Sequence, residues 1–134
     1  MIKAGILLLF VFISSCNFTT TKTRKPVFII DTNLVGKKLD SLIACENFNI
    51  NGTEIITNKK STSEIEISTI NCRDVPQNND EMAGLAATIA SEIKKHLKDS
   101  TQYDTYKVLF IIKKTDGVVT KTNSKSYVFG AKDL

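Results

Sequence analysis

Residues 79–98 constrain the fold more than any other stretch. Met82, Leu85, Ala86, Ile89, Ile93 and Leu97 recur at helical spacing and make one apolar stripe. A helix with such a stripe must lay it against another element to keep it from water. Asn78, with Glu81 three residues on, makes a capping box ahead of the stripe. Asp80 and Glu81 open the segment and Lys94, Lys95 and Lys98 close it, so the charges complement the helix dipole. A long helix over about 79–98 is predicted.

The surface it covers has to come from strands. Residues 48–57 and 62–71 carry Ile50, Ile55, Ile56, Ile65, Ile67 and Ile70, and Asn58-Lys59-Lys60-Ser61 between them reads as a turn. The parity of the isoleucines slips near Gly52 and near Ser68-Thr69, which predicts a bulge. Residues 106–113 place Tyr106, Val108, Phe110 and Ile112 on one face and Leu109 and Ile111 on the other, the pattern of a central strand. Asp116-Gly117 is a hairpin turn signal. The returning segment 118–129 is polar, which suits an edge strand, with Lys121, Asn123 and Lys125 on the side that also carries Tyr127 and Phe129. Upstream, Val27-Phe28-Ile29-Ile30 reads as a short buried strand, and Asp31 caps a short helix near 34–44. The expected architecture is a single α+β domain over 26–134. It has an antiparallel sheet of four or five strands, the long helix on one face and the short helix beside it.

The N-terminus has a different character. Lys3 precedes an unbroken apolar run from Ala4 to Ile13, then Ser14-Ser15-Cys16. This is the layout of a secretory signal, and the run is too short to span a bilayer, which takes about 20 residues. Ile13-Ser14-Ser15-Cys16 resembles the lipobox of bacterial lipoproteins. The resemblance implies cleavage after residue 15, acylation of Cys16 and a place in the cell envelope. Asn17, rather than aspartate, follows the cysteine, which on the enterobacterial pattern points to the outer membrane. Residues 16–25 are then the lipidated cysteine and a flexible polar tether.

Little in the rest of the chain carries chemistry. The net charge of +4 is too small for a nucleic-acid footprint, and charges of both signs are interspersed. No nucleophile, phosphate-loop or dinucleotide motif occurs, and no catalytic residue or cofactor is expected. His96, the one histidine, reads as a surface residue at the helix end, and no metal site is expected. Cys45 and Cys72 are a candidate disulfide, because a hairpin centred near Lys59 brings them close together. Tyr106, Lys121, Asn123, Lys125 and Tyr127 form a candidate interaction surface. The leading expectation is a lipid-anchored accessory module that binds another envelope protein or glycan. The alternative is a small envelope enzyme or a thiol-redox protein using Cys45 and Cys72.

Overall fold

Two tight turns and one long crossover decide how the strands meet. A computed structural model describes residues 18–134. The signal peptide expected over 1–15 and the lipidation expected at Cys16 lie outside the described residues. In chain order the elements are β1 (Thr19–Arg24), α1 (Thr32–Leu42), β2 (Asn47–Thr57), β3 (Lys60–Ile70), α2 (Asn79–His96), β4 (Thr105–Asp116) and β5 (Val119–Gly130). Short 3-10 turns occupy Ser100–Gln102 and Ala131–Asp133. The five strands form one sheet in the order β1-β2-β3-β4-β5.

The β2–β3 turn is Asn58-Lys59, both in the left-handed region (φ 48° and 65°), which matches the twist of the flanking strands. The β4–β5 turn is centred on Gly117-Val118, one residue later than Asp116-Gly117, because Asp116 still pairs with Val119. Gly117, at φ 61°, supplies the conformation that a side chain would resist.

The sheet is mixed rather than antiparallel throughout. β3 and β4 are parallel, with Ile65 opposite Tyr106 and Ile67 opposite Val108. Parallel strands cannot be joined by a hairpin. The 18-residue helix α2, about 27 Å long, carries the chain back to the end of the sheet where β3 began. β3 is thus the middle strand, and β4 lies between it and β5.

Three other expectations change. Thr19–Arg24, within the segment expected to be a flexible tether, is the edge strand β1, paired from Thr19↔Thr57 to Arg24↔Gly52. Its four threonines are β-branched and suit a strand. Val27-Phe28-Ile29-Ile30 is not a strand: Phe28 makes a single bridge to Leu97, flanked by Ile29 N–H to His96 O (2.9 Å) and Lys98 N–H to Val27 O (2.8 Å). That bridge ties the β1–α1 connection to the end of α2.

The bulge is also absent, since β2 and β3 pair without interruption from Asn47↔Ile70 to Thr57↔Lys60. Ile65 and Ile67 face the helices, Thr69 takes the next core position, and its hydroxyl donates to Leu109 O at 3.0 Å. Ile70 falls on the opposite face, so the parity slip reflects one buried threonine. The core lies between the sheet and both helices. It joins Ile65, Ile67, Tyr106, Val108 and Phe110 to Val35 and Leu39 of α1 and to Met82, Ala86, Ile89 and Ile93 of α2. Asp31 caps α1, accepting from Asn33 N–H (2.7 Å), and Asn78 caps α2, accepting from Asp80 N–H (2.8 Å).

A Cβ at Gly52 would lie 2.7 Å from the carbonyl oxygen of Arg24, on the backbone of β1. Gly52→Ala is expected to cost about 1–3 kcal/mol, the usual range for overpacking. The loss should appear first as faster amide hydrogen exchange in residues 19–24. Unchanged exchange there would mean that β1 is not seated on β2.

Candidate functional site

β3 ends opposite Ile111, whereas β4 and β5 run on to their turn. Residues 112–116 and 119–123 therefore form a two-stranded ribbon that projects about 17 Å beyond the rest of the sheet. Both strands are exposed throughout this stretch. An isolated hairpin is marginally stable in water, so a ribbon of this length is a feature that needs a reason.

Asn71 sets the point of departure. It ends β3 with φ 50°, and its own N–H donates to Ile111 O at 2.9 Å. Its side-chain oxygen accepts from Lys113 N–H and its side-chain nitrogen donates to Glu46, both at 2.7 Å. One side chain thus joins the end of β3 and the base of the ribbon on β4 to the segment before β2.

On the helix side of the ribbon, Lys114 lies directly opposite Lys121 and Ile112 opposite Asn123. Like charges directly opposite one another oppose strand pairing. Lys125 continues the same side toward the core. At the base of the ribbon is a groove of about 290 Å³. Val75, Pro76 and Met82 wall one side, Phe110 and Ile112 supply apolar floor, and Asn123, Ser124 and Lys125 form a polar rim. Such a groove can take an apolar side chain while the lysines hold a neighbouring carboxylate.

Tyr127 is half-buried beneath this rim. It stands edge-on to Phe110, with ring centroids 6.1 Å apart, and its hydroxyl donates to Asn79 Oδ1 at 2.9 Å. The Lys125 ammonium sits 5.7 Å from its ring centroid. Tyr127 thereby fixes β5 to the start of α2 and positions Lys125. Tyr106 does not belong to this surface. It is fully buried on the helix side of β4, opposite Ile65 on β3, so the expected role as a contact residue is corrected. Burial pushes its phenol up to about 12, with Tyr103 adding a smaller effect in the same direction.

Cys45 and Cys72 are joined by a disulfide that closes a 27-residue separation across the β2–β3 hairpin. Arg73 N–H to Ala44 O at 2.8 Å runs beside the bridge, and Cys72 lines the groove. His96 is buried at 8 % exposure rather than lying on the surface, because the chain around Val27–Ile29 covers the end of α2. Its Nε2 is 2.7 Å from Glu92 Oε1, and that hydrogen bond holds the Glu92 carboxyl below its ordinary range.

A second, polar cleft of about 180 Å³ lies between Arg24, Glu54, Ser63 and Asp104. Its groups are engaged within the fold. Arg24 approaches Glu54 at 3.0 Å, although without the alignment of a hydrogen bond. Ser63 N–H donates to Asp104 Oδ2 at 2.8 Å, and the Ser63 hydroxyl donates to Gln102 O. Among the described residues no cluster of three or more His, Cys, Asp or Glu could hold a metal.

No protein-family model, curated protein or solved structure matches this chain. Lys114, Asn71 and the Val75-Pro76 wall were not singled out by the sequence reading. Lys114 follows from the register once the turn is centred on Gly117-Val118, but Asn71 and the wall depend on the parallel crossover.

Two outcomes follow from this geometry. Replacing both Cys45 and Cys72 by alanine is expected to cost about 3 kcal/mol in denaturant titration, from the lost loop closure. No loss would mean that the bridge does not constrain the unfolded chain. The Tyr106 phenol ionises less readily in the fold than its ordinary value of 10.0. Its stabilising contribution is therefore complete below pH 10 and is lost as pH rises toward 12, about 3 kcal/mol in all. Tyr106→Phe should flatten the alkaline limb of the stability curve, and an identical limb in the variant would sink this assignment.

Proposed function

We propose that the chain is a lipid-anchored module of the bacterial cell envelope, held at the outer membrane. It binds an extended, acidic segment of another envelope protein along the outer edge of β5. The observation that carries this reading is the projecting β4–β5 ribbon. β5 is paired with β4 over twelve consecutive residues, without a bulge or a proline. Among the described residues it has no strand on its outer side. A long, unbroken strand edge is a template for one more strand, and main-chain hydrogen bonds would supply the affinity.

The side chains add selectivity. Lys114 faces Lys121, with Lys125 next in line, and carboxylates on an added segment would relieve their repulsion. The groove at the ribbon base would accept an apolar residue of the same segment. The envelope location rests on the lipobox-like Ile13-Ser14-Ser15-Cys16 and the apolar run before it. Acyl chains on Cys16 would hold the module at a bilayer, since one chain binds only reversibly and two or more are needed for stable anchoring.

The test has two parts. Intact mass of protein extracted from membranes should correspond to a chain starting at Cys16 with added acyl groups. Cross-linked pull-down from native envelopes should then recover a polypeptide whose capture falls at least tenfold in the Lys114→Glu/Lys121→Glu/Lys125→Glu variant, with its thermal midpoint shifted by only a few degrees. Undiminished capture by that variant would place the binding surface elsewhere, and capture of carbohydrate alone would replace the protein ligand by a glycan.

A further inference from the structure

The sheet has two unlike ends, and the chain assigns one of them to the anchor. β1 runs antiparallel to β2, so its first residue, Thr19, lies opposite Thr57, beside the Asn58-Lys59 turn. Cys16 precedes Thr19 by three residues. Whatever path those residues take, they span at most about 11 Å. β4 is parallel to β3, so the Gly117-Val118 turn lies at the far end. An 11-residue strand and the ribbon beyond it together place that turn about 50 Å away along the strand direction.

We infer that the β2–β3 turn is a membrane-docking surface for an anionic bilayer, seated by Lys59, Lys60 and Phe18 once lipid is attached at Cys16. The inference rests on the lipidation reading above and adds to it an orientation and a headgroup preference. A flexible tether would leave the domain free to tumble. Here the tether is occupied by β1, which is hydrogen-bonded to the sheet, so the short leash brings one end of the sheet to the headgroups.

The residues at that end fit such a surface. Lys59 and Lys60 are exposed at the tip of the hairpin. Phe18, just before β1, is 81 % exposed, an aromatic ring placed where interfacial rings are favoured. Lys22 is directly opposite Glu54, and Arg24 also approaches Glu54, so those two cations are offset within the sheet. The two turn lysines therefore supply the positive charge that meets the lipid, in the manner of juxtamembrane basic residues. The bound ribbon end then points away from the bilayer, toward partners beyond it.

The chain contains no tryptophan, so a single one can act as a depth reporter. Thr62→Trp marks the turn end and Val118→Trp the far tip, where Val118 is fully exposed. Each variant is purified as the acylated protein, its mass recorded, and reconstituted into vesicles of phosphatidylcholine with one-fifth phosphatidylglycerol and a headgroup-labelled quencher lipid. Emission of Thr62→Trp should fall at least twofold more than that of Val118→Trp. Adding Lys59→Glu/Lys60→Glu should remove most of that difference, as should vesicles of phosphatidylcholine alone. Equal quenching at the two sites, or stronger quenching at Val118→Trp, would overturn the orientation. Unchanged quenching in the charge-reversed protein would overturn the role of the lysines. If the mass shows no acyl group, the anchor reading fails on its own. The same chain coupled through Cys16 to a maleimide lipid then reads the geometry independently.

Discussion

The return from β3 to β4 must cross the whole length of the sheet, because the two strands run the same way and no tight turn can join them. α2 makes that crossing, and in doing so lays Met82, Ala86, Ile89 and Ile93 over the buried residues of β3 and β4. Everything else is placed relative to this unit. β2 and β5 are added by hairpins on either side, α1 fills the space beside α2, and β1 closes one edge. Among the described residues, helices cover only one face of the sheet. The other carries Thr53, Thr62, Glu66, Ser68, Lys107, Thr120 and Thr122, polar residues that tolerate water, with the Lys107–Glu66 ion pair at 3.1 Å lying across the parallel junction.

The same crossover makes the two ends of the sheet unequal. In an antiparallel meander, where successive turns alternate, the β2–β3 and β4–β5 hairpins would lie at the same end. Here the parallel pair puts the β2–β3 turn and the start of β4 near one end, and leaves the β4–β5 ribbon to outrun β3 at the other. Asn71 marks the boundary, since its side chain satisfies the first ribbon amide that β3 no longer reaches. A basic ribbon at one end of the core and the proposed anchor at the other would give the molecule a direction, which is what the proposed tasks of docking on lipid and meeting a partner require.

Much of the local structure was legible in the residues. The stripe of α2 is long and strictly periodic, and Asp80 and Glu81 against Lys94 and Lys95 mark its ends. The two hairpins announced themselves through Asn58-Lys59 and Gly117, and the alternation of β5 placed Lys121, Asn123 and Lys125 on one side as the register has them. What escaped was pairing between distant segments. Nothing local distinguishes a parallel from an antiparallel neighbour for Ile65 and Ile67, whose alternation is the same in both. Thr19–Arg24 is polar and exposed, so it becomes a strand only through the edge offered by β2. Tyr106 looked like a contact residue because tyrosine favours interfaces, yet its position opposite Ile65 puts it in the core. The slip at Ser68-Thr69 suggested a bulge, when a threonine hydroxyl bonded to Leu109 O had taken a core position.

The disulfide encloses only residues 45–72, all of which precede α2 in the chain. Its contacts are those of a hairpin whose turn lies midway between the cysteines. A chain made from its N-terminus completes that loop before the first residue of the crossover helix exists. The bridge can therefore lock the β2–β3 register early and at small entropic cost, since the loop it closes is short on the scale of the chain. It does nothing to shorten the search by which β4 finds β3, a contact between residues about forty positions apart. In this molecule the covalent link secures the half of the sheet that assembles most easily, and the slow, long-range step is left to the apolar face of α2.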